Sequence, residues 1–379
     1  MSNSQLLFNL ILQSELSVMA YEKKLILFQF LGPNNQFFNE LGADKRNQFV
    51  YFLKNEIVKK GFIPEPLKDQ RLENVFAIIF FDLHSVYPIY GNFFKKLKFI
   101  IFNFLRRDTS SRNIFKEELK SKNTIKKYLI AFEPRIICPD NFNSLYSNLF
   151  DRTFSWSGQC CGGKSKNTII NLPIPQVEFK PLTAENFISK RLLVTVSSNK
   201  GSYEKGSLCD FKYNAYELLF KNLGNNFNLF GYMWDQSLIN WLLKFIRGTK
   251  SKYFYKLPPY FKGVVSGKDE VLSKYRFCLV IENMSERSFI TEKIFHAIIA
   301  GCVPIYLGAP NICEFIPKKT FVDLRDFENW NKLCIFIRNY NKQDYEEFLI
   351  SRESFLKSPQ YKSFSAISFA NLITSNIFK

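Results

Sequence analysis

Thr291, Glu292 and Lys293 stand in a row inside the stretch YRFCLVIENMSERSFITEKIFHAIIAGCVPIYLGAP, residues 275–310. Residues of these types at the start of one helix can do complementary work. A carboxylate can accept two hydrogen bonds from sugar hydroxyls. A lysine in the first turn adds a full charge to the partial positive charge and unpaired N–H groups already there, a combination that favours phosphate. One Glu for hydroxyls and one Lys for phosphates is what a sugar nucleotide requires. An isolated Thr-Glu-Lys reads more simply as an ordinary first-turn pair, because acids favour helix starts and Lys is a common surface residue. The flanking residues favour the first reading. Apolar 275–281 reads as a strand, ENMSERSF as a polar loop, and the helix beginning near Ile290–Thr291 carries Ile294, Phe295, Ala297, Ile298, Ile299 and Ala300. A helix apolar on most faces is buried, so the charges at its start face a cleft.

The elements that must position these residues alternate. KKLILFQFLG (23–32), VFAIIFFD (75–82), TIKKYLIAFEP (124–134) and FDRTFSWS (150–157) read as strands, and DKRNQFVYFLKNEIVKKG (44–61) as a helix stopping at Gly61. NLPIPQVEFKPLTAEN (171–186) holds three prolines and suits an extended interdomain connection. After it the alternation restarts. RLLVTVSSN (191–199) reads as a strand, 210–224 as a helix closed by Gly224, and NLFGYMW (228–234) as a strand; the 275–310 stretch follows as strand, helix and strand. Strands alternating with helices predict parallel sheets covered on both faces. Two α/β halves at 1–178 and 188–345, followed by a helical tail at 346–379, is the expected organisation; the tail reads as helical on either side of Pro359. No internal repeat or low-complexity tract interrupts it.

With 379 residues, two domains are favoured over one core, and 46% hydrophobic with 23% charged residues is ordinary for a soluble globular protein. A net charge of +18 implies anionic partners, although Lys scattered along the chain usually marks a solvated face. Eight cysteines show no metal-ligand spacing, Cys160 and Cys161 are adjacent, and His84 and His296 are the only imidazoles, so a structural zinc site is not expected. The thiols read as reduced, buried small hydrophobes of a cytoplasm-like compartment. No secretory leader is read at 1–24, and no run reaches the roughly 20 apolar residues of a spanning helix.

FCLVIENMSERSFITEKIFHAIIAGCVPIYLGAPNICEFIP resembles the donor-site signature of the α-1,3/1,4-fucosyltransferases, glycosyltransferase family ten. That pattern runs strand, Phe-Glu-Asn, a short loop, Tyr-(Ile/Val)-Thr-Glu-Lys, an apolar helix and a Pro-x-x-x-Gly-x-Pro run. Glu282-Asn283, Ile290-Thr291-Glu292-Lys293, Pro304, Gly308 and Pro310 match it. The resemblance weakens outward through 261–277, 192–219 and 126–156, and covers about half of the chain.

The resemblance implies GT-B architecture, two facing Rossmann-like domains with the active site in the cleft between them. It also implies transfer of L-fucose from GDP-fucose to a hydroxyl of a glycan, with inversion. Glu133 falls on the family's proposed catalytic base, and Glu292 joins it as a catalytic and donor-binding carboxylate. Lys212 stands where relatives carry a phosphate-binding Arg, and Phe289 where they often carry Tyr. Asn283, Thr291 and Lys293 complete the implied donor set. Lys is a point charge and lacks Arg's bidentate fork, so weaker donor binding is expected than an Arg would give. No Asp-x-Asp sequence occurs to hold a divalent metal, so no cofactor and no metal are expected, with lysine cations neutralising the leaving diphosphate. Glu282 and Tyr306 read as structural.

Two rivals remain open at this point: a GT-B transferase using a different sugar nucleotide, and a basic nucleic-acid-binding protein. The second has no zinc, helix-turn-helix or RNP-type motif and leaves Thr291-Glu292-Lys293 unexplained, so nucleic acid is not an expected partner. The expected partners are a GDP-sugar and a glycan or lipid-linked oligosaccharide, with lipopolysaccharide-type glycan a guess from the lack of a membrane anchor. YPIYGNFFKKLKFIIFNFLRRD (87–108) mixes aromatic and basic residues; it reads as a core helix with solvated Lys, or as a membrane-surface element that would put a cytoplasmic protein at the inner face of a membrane.

Overall fold

The computed structural model describes residues 24–30, 48–67, 74–83, 125–174, 179–199, 206–234, 257–265 and 267–379. Stretch 87–108, and with it the membrane-surface reading, lies outside them, as does His84.

Strands β1 (Leu25–Gln29), β2 (Ile63–Pro66), β3 (Val75–Phe81), β4 (Lys126–Ala131), β5 (Arg152–Ser155) and β6 (Asn167–Ile169) form one sheet in the order β2-β1-β3-β4-β5-β6. All of its pairs are parallel. The continuous apolar runs of β1, β3 and β4 explain their central places, because a parallel strand is buried on both faces. Helix α1 (Gln48–Lys59) lays Val50, Leu53 and Ile57 against this sheet, at the spacing of one helix face, and Gly61 ends the turn behind it at φ +80°.

Strands β7 (Arg191–Val196), β8 (Phe227–Phe230), β9 (Tyr275–Ile281), β10 (Val303–Leu307) and β11 (Val322–Asp323) form the second sheet, ordered β11-β10-β9-β7-β8 and again parallel. Helices α2 (Cys209–Leu223), α3 (Lys268–Leu272), α4 (Glu292–Ile299), α5 (Trp330–Asn339) and α6 (Lys342–Lys357) accompany it. Strand β8 ends earlier than the sequence predicts. Gly231 turns the chain at φ +145°, and any side chain there would run into the Ser197 carbonyl.

The helical tail divides its packing. Tyr345, Phe348, Leu349, Phe355 and Leu356 of α6 join the cores around the second sheet. Beyond Pro359, helix α7 (Ala366–Ile377) crosses back, and its Phe369, Ala370, Ile373 and Ile377 belong to the core of the first sheet. Phe49 of α1 meets Phe369 edge-on at 5.7 Å. The two crossings of the chain run side by side: Ile174 pairs with Ser365, its N–H donating to the Phe364 carbonyl at 2.9 Å. No helix among the described residues is long and apolar enough to cross a membrane.

Candidate functional site

Strand β9 delivers Glu282 to the carboxyl end of the second sheet, where α/β proteins place their ligands. Glu282 is fully buried. Thr291, the residue that caps α4, donates its hydroxyl to Glu282 Oε1 at 2.8 Å and its N–H to the same oxygen at 3.1 Å. Lys293 reaches back from the first turn, so that Nζ lies 2.6 Å from Glu282 Oε2 and 2.9 Å from the Thr291 hydroxyl. Burial depresses the Lys293 ammonium, but the carboxylates of Glu282 and Glu292 outweigh it and hold the group above the usual lysine range. The sequence marks Glu282 as structural; the structure makes it the anion that orients Lys293.

The second predicted cation arrives from a different helix. Lys212 lies in the first turn of α2, is 6% exposed, and donates from Nζ to Asn283 Oδ1 at 2.9 Å. The Leu208 N–H donates to the Asn283 carbonyl at 2.9 Å, tying the entry of α2 to the exit of β9. Lysines from two helices thus converge on the consecutive residues Glu282 and Asn283. Gly308 closes this corner from β10's exit: a methyl group on it would collide with the Tyr306 hydroxyl and come within 2.6 Å of Glu282 Cγ.

Glu292 points to the other side of the helix start, 3.5 Å from Lys268 Nζ at the beginning of α3. Burial raises its carboxyl, but Lys293, Lys268 and His296 together push it down to about 2. An acid that strong is an ionised acceptor at any working pH and has no proton to give. His296, one turn on, meets Asp269 at 2.6 Å, so α3 clasps α4 at two points. The far end of α4 is held by Arg352 of α6, 1% exposed, which donates to the carbonyls of Ile298 at 2.7 Å and Ile299 at 2.6 Å. Neither Lys268 nor Arg352 stands out in the sequence, because each acts through a contact far along the chain.

Phe289 is placed differently from what the family pattern implies. Its ring is 2% exposed and packs at 4.8 Å from Trp156 of the first half, in a cluster with Phe142 and Leu172. A ring enclosed in this way joins the two halves and presents no open face to a nucleotide.

Glu133 follows β4 at the carboxyl end of the first sheet and is half-buried. Its carboxylate is one of the charges that raise Lys293, which brings the two across the division between the sheets. Glu133 Nα–H donates to the buried Asp82 carboxylate at 2.9 Å. No group of three or more His, Cys, Asp or Glu is placed to hold a metal ion among the described residues.

Residues 262–371 match the family model described as glycosyltransferase family 10 (fucosyltransferase) C-term. An α-(1,4)-fucosyltransferase of Arabidopsis thaliana is 39% identical over 67 residues, 18% of this chain and 17% of that protein. The α-(1,3)-fucosyltransferase 7 of Mus musculus is 31% identical over 121 residues, 28% of this chain and 31% of that one. The chain thus aligns with less than a third of the length of either relative. A solved α1,3-fucosyltransferase covers 94% of this chain and 90% of its own, with TM-score 0.53 and 15% identity, and an α1,3-fucosyltransferase with GDP-fucose gives 0.50 at 14%. At such identities the likeness establishes the fold, two parallel-sheet α/β domains of GT-B type. Residues 262–371, which carry Glu282, Glu292 and Lys293, are thus similar to the C-terminal domain of the family 10 fucosyltransferases.

Proposed function

We propose that this protein is an inverting glycosyltransferase that moves L-fucose from GDP-fucose to a hydroxyl of a glycan, without a bound metal ion. One observation carries the reading: the Glu133 carboxylate, at a strand end of the first sheet, lies within electrostatic reach of Lys293 at the helix start of the second. A base on one side and cations on the other are what a single in-line displacement needs. Glu133 takes the proton of the acceptor hydroxyl as its oxygen bonds to the anomeric carbon. The bond from that carbon to the diphosphate breaks on the opposite face. Lys293 and Lys212 neutralise the departing charge from positions already fixed on Glu282 and Asn283, which is electrostatic preorganisation. Glu292, ionised throughout, accepts hydrogen bonds from donor hydroxyls, and Asn283 and Thr291 keep the lysines in register. The match of residues 262–371 to the family 10 model and the likeness to a fucosyltransferase with GDP-fucose support the choice of donor.

Release of GDP from GDP-fucose in the presence of a glycan panel tests this, alongside GDP-mannose and UDP-glucose and with EDTA added. The expected result is turnover of GDP-fucose alone, unaffected by EDTA, with an α-linked product by NMR. Glu133→Gln should lower kcat by about a thousandfold, within the range for loss of a general base. Turnover of a UDP-sugar instead would transfer the same site to a different donor, and failure to turn over any of them would end the reading.

A further inference from the structure

Glu133 is held by its main chain from both ends. Its N–H donates to Asp82 Oδ1 at 2.9 Å, and its carbonyl accepts from Asn141 Nδ2 at 3.2 Å. The residue before it is fixed in the same way: the Phe132 N–H donates to the same Asp82 oxygen at 2.7 Å, and the Phe132 carbonyl accepts from Trp156 Nε1 at 3.0 Å. Asn141 closes the set, donating to Asp82 Oδ1 at 2.8 Å and accepting the Leu83 N–H at 2.6 Å. Asp82, Asn141 and Trp156 are respectively 8%, 0% and 1% exposed. Asp82 also takes up a left-handed φ of +59° at the exit of β3, a conformation side chains adopt at some cost.

A neutral asparagine at position 82 would offer the same acceptor oxygen to the same N–H groups without burying a charge. An aspartate kept there at that cost points to a use for the charge itself. We infer that Asp82 is a positioning residue for Glu133: its buried carboxylate fixes the Glu133 main chain and, as an anion, raises the proton affinity of the Glu133 carboxyl for its work as base. Like charges placed close together raise one another's proton affinity. The Cys138 thiol feels both carboxylates, together with Asp140, which places the two anions around one point. Burial drives that thiol upward and keeps it neutral, and Lys293 is the cation facing Glu133 from the other sheet. Burial also pushes Asp82 itself up to about 6, against the three hydrogen bonds that favour its charge.

This inference rests on Glu133 being the base, and two variants separate the two ideas. Asp82→Asn should fold, melt at a higher temperature than the wild type, keep its KM for GDP-fucose, and lose at least tenfold in kcat. The acid limb of its kcat profile should move to lower pH, because Glu133 has lost a neighbouring anion. A stabilised enzyme that turns over more slowly is not what removal of a structural contact produces. The wild type gives a second readout that does not depend on the variant folding: log kcat should fall with a slope steeper than one over part of the acid limb, as Asp82 and Glu133 both take protons. A wild-type slope that nowhere exceeds one, or an Asp82→Asn enzyme with unchanged kcat and pH profile, overturns the inference while Glu133→Gln stays inactive. Full transfer by Glu133→Gln overturns the reading of the base instead.

Discussion

Lys293 Nζ lies 2.6 Å from the carboxylate of Glu282, which has no exposed surface. The lysine is therefore aimed before any substrate arrives, and its charge is shared with a group that cannot leave. Removing either partner strands the other. Glu282→Gln and Lys293→Met should each lower stability by about 3 kcal/mol, in the range for breaking a buried pair, and the double variant should recover much of that loss. Urea unfolding of all four proteins measures the coupling. Additive losses would mean that the pair does not hold the helix start.

Lys212 should matter to donor binding more than to stability. Lys212→Met removes one of the two lysines proposed to neutralise the diphosphate, and a tenfold rise in donor KM, about 1.4 kcal/mol, is expected. GDP titration by calorimetry gives the same quantity without turnover. Affinity equal to that of the wild type would remove Lys212 from the site.

Gly308 has no room for a methyl group beside Tyr306 and Glu282. Gly308→Ala should destabilise by about 2 kcal/mol through overpacking, and because Glu282 must move it should also weaken GDP binding. A melting curve and a GDP titration on one sample check both effects. Lost stability with intact GDP affinity would uncouple this corner from the donor site.

Two of the perturbed carboxyls, Glu292 and Asp82, predict opposite pH dependences. Glu292 is depressed in the folded state, so its contribution is present above its unfolded value near 4.5 and is lost as pH falls through about 2. Its side chain is 32% exposed, which discounts the contribution to about 1–2 kcal/mol. Asp82 is raised, so its contribution is complete below its unfolded value near 3.8 and is lost as pH rises through about 6. Asp82→Asn should therefore exceed the wild type by about 2–3 kcal/mol at pH 7 and by nothing at pH 3. Glu292→Gln should fall below the wild type at pH 7 and converge with it in acid. Unfolding free energies measured across pH 3–8 distinguish the two slopes, and parallel curves would refute both.

The sequence made the helix Glu292–Ile299 legible because its signal is local. Thr291, Glu292 and Lys293 are neighbours, and the apolar run behind them announces a buried helix. Long-range partnerships carry no such mark. Asp82 and Asn141 sit 59 residues apart and meet only once β3 and β4 pair. The short edge strands were invisible for a related reason. Strand β2 contains Pro64 and Pro66, which speak against a strand, yet an edge position tolerates them. Strand β6 is three residues long and has no periodicity to read. Phe289 matches a family pattern by position, while its packing against Trp156 is a long-range contact that the local pattern does not announce.

The chain passes between its halves twice, and Ile174 on the outward passage is paired with Ser365 on the return. A second bond joins the same passages, Asn171 Nδ2 donating to the Ser363 hydroxyl at 2.9 Å. These bonds fasten the outward and return passages to each other, so drawing the two passages apart would have to break both of them.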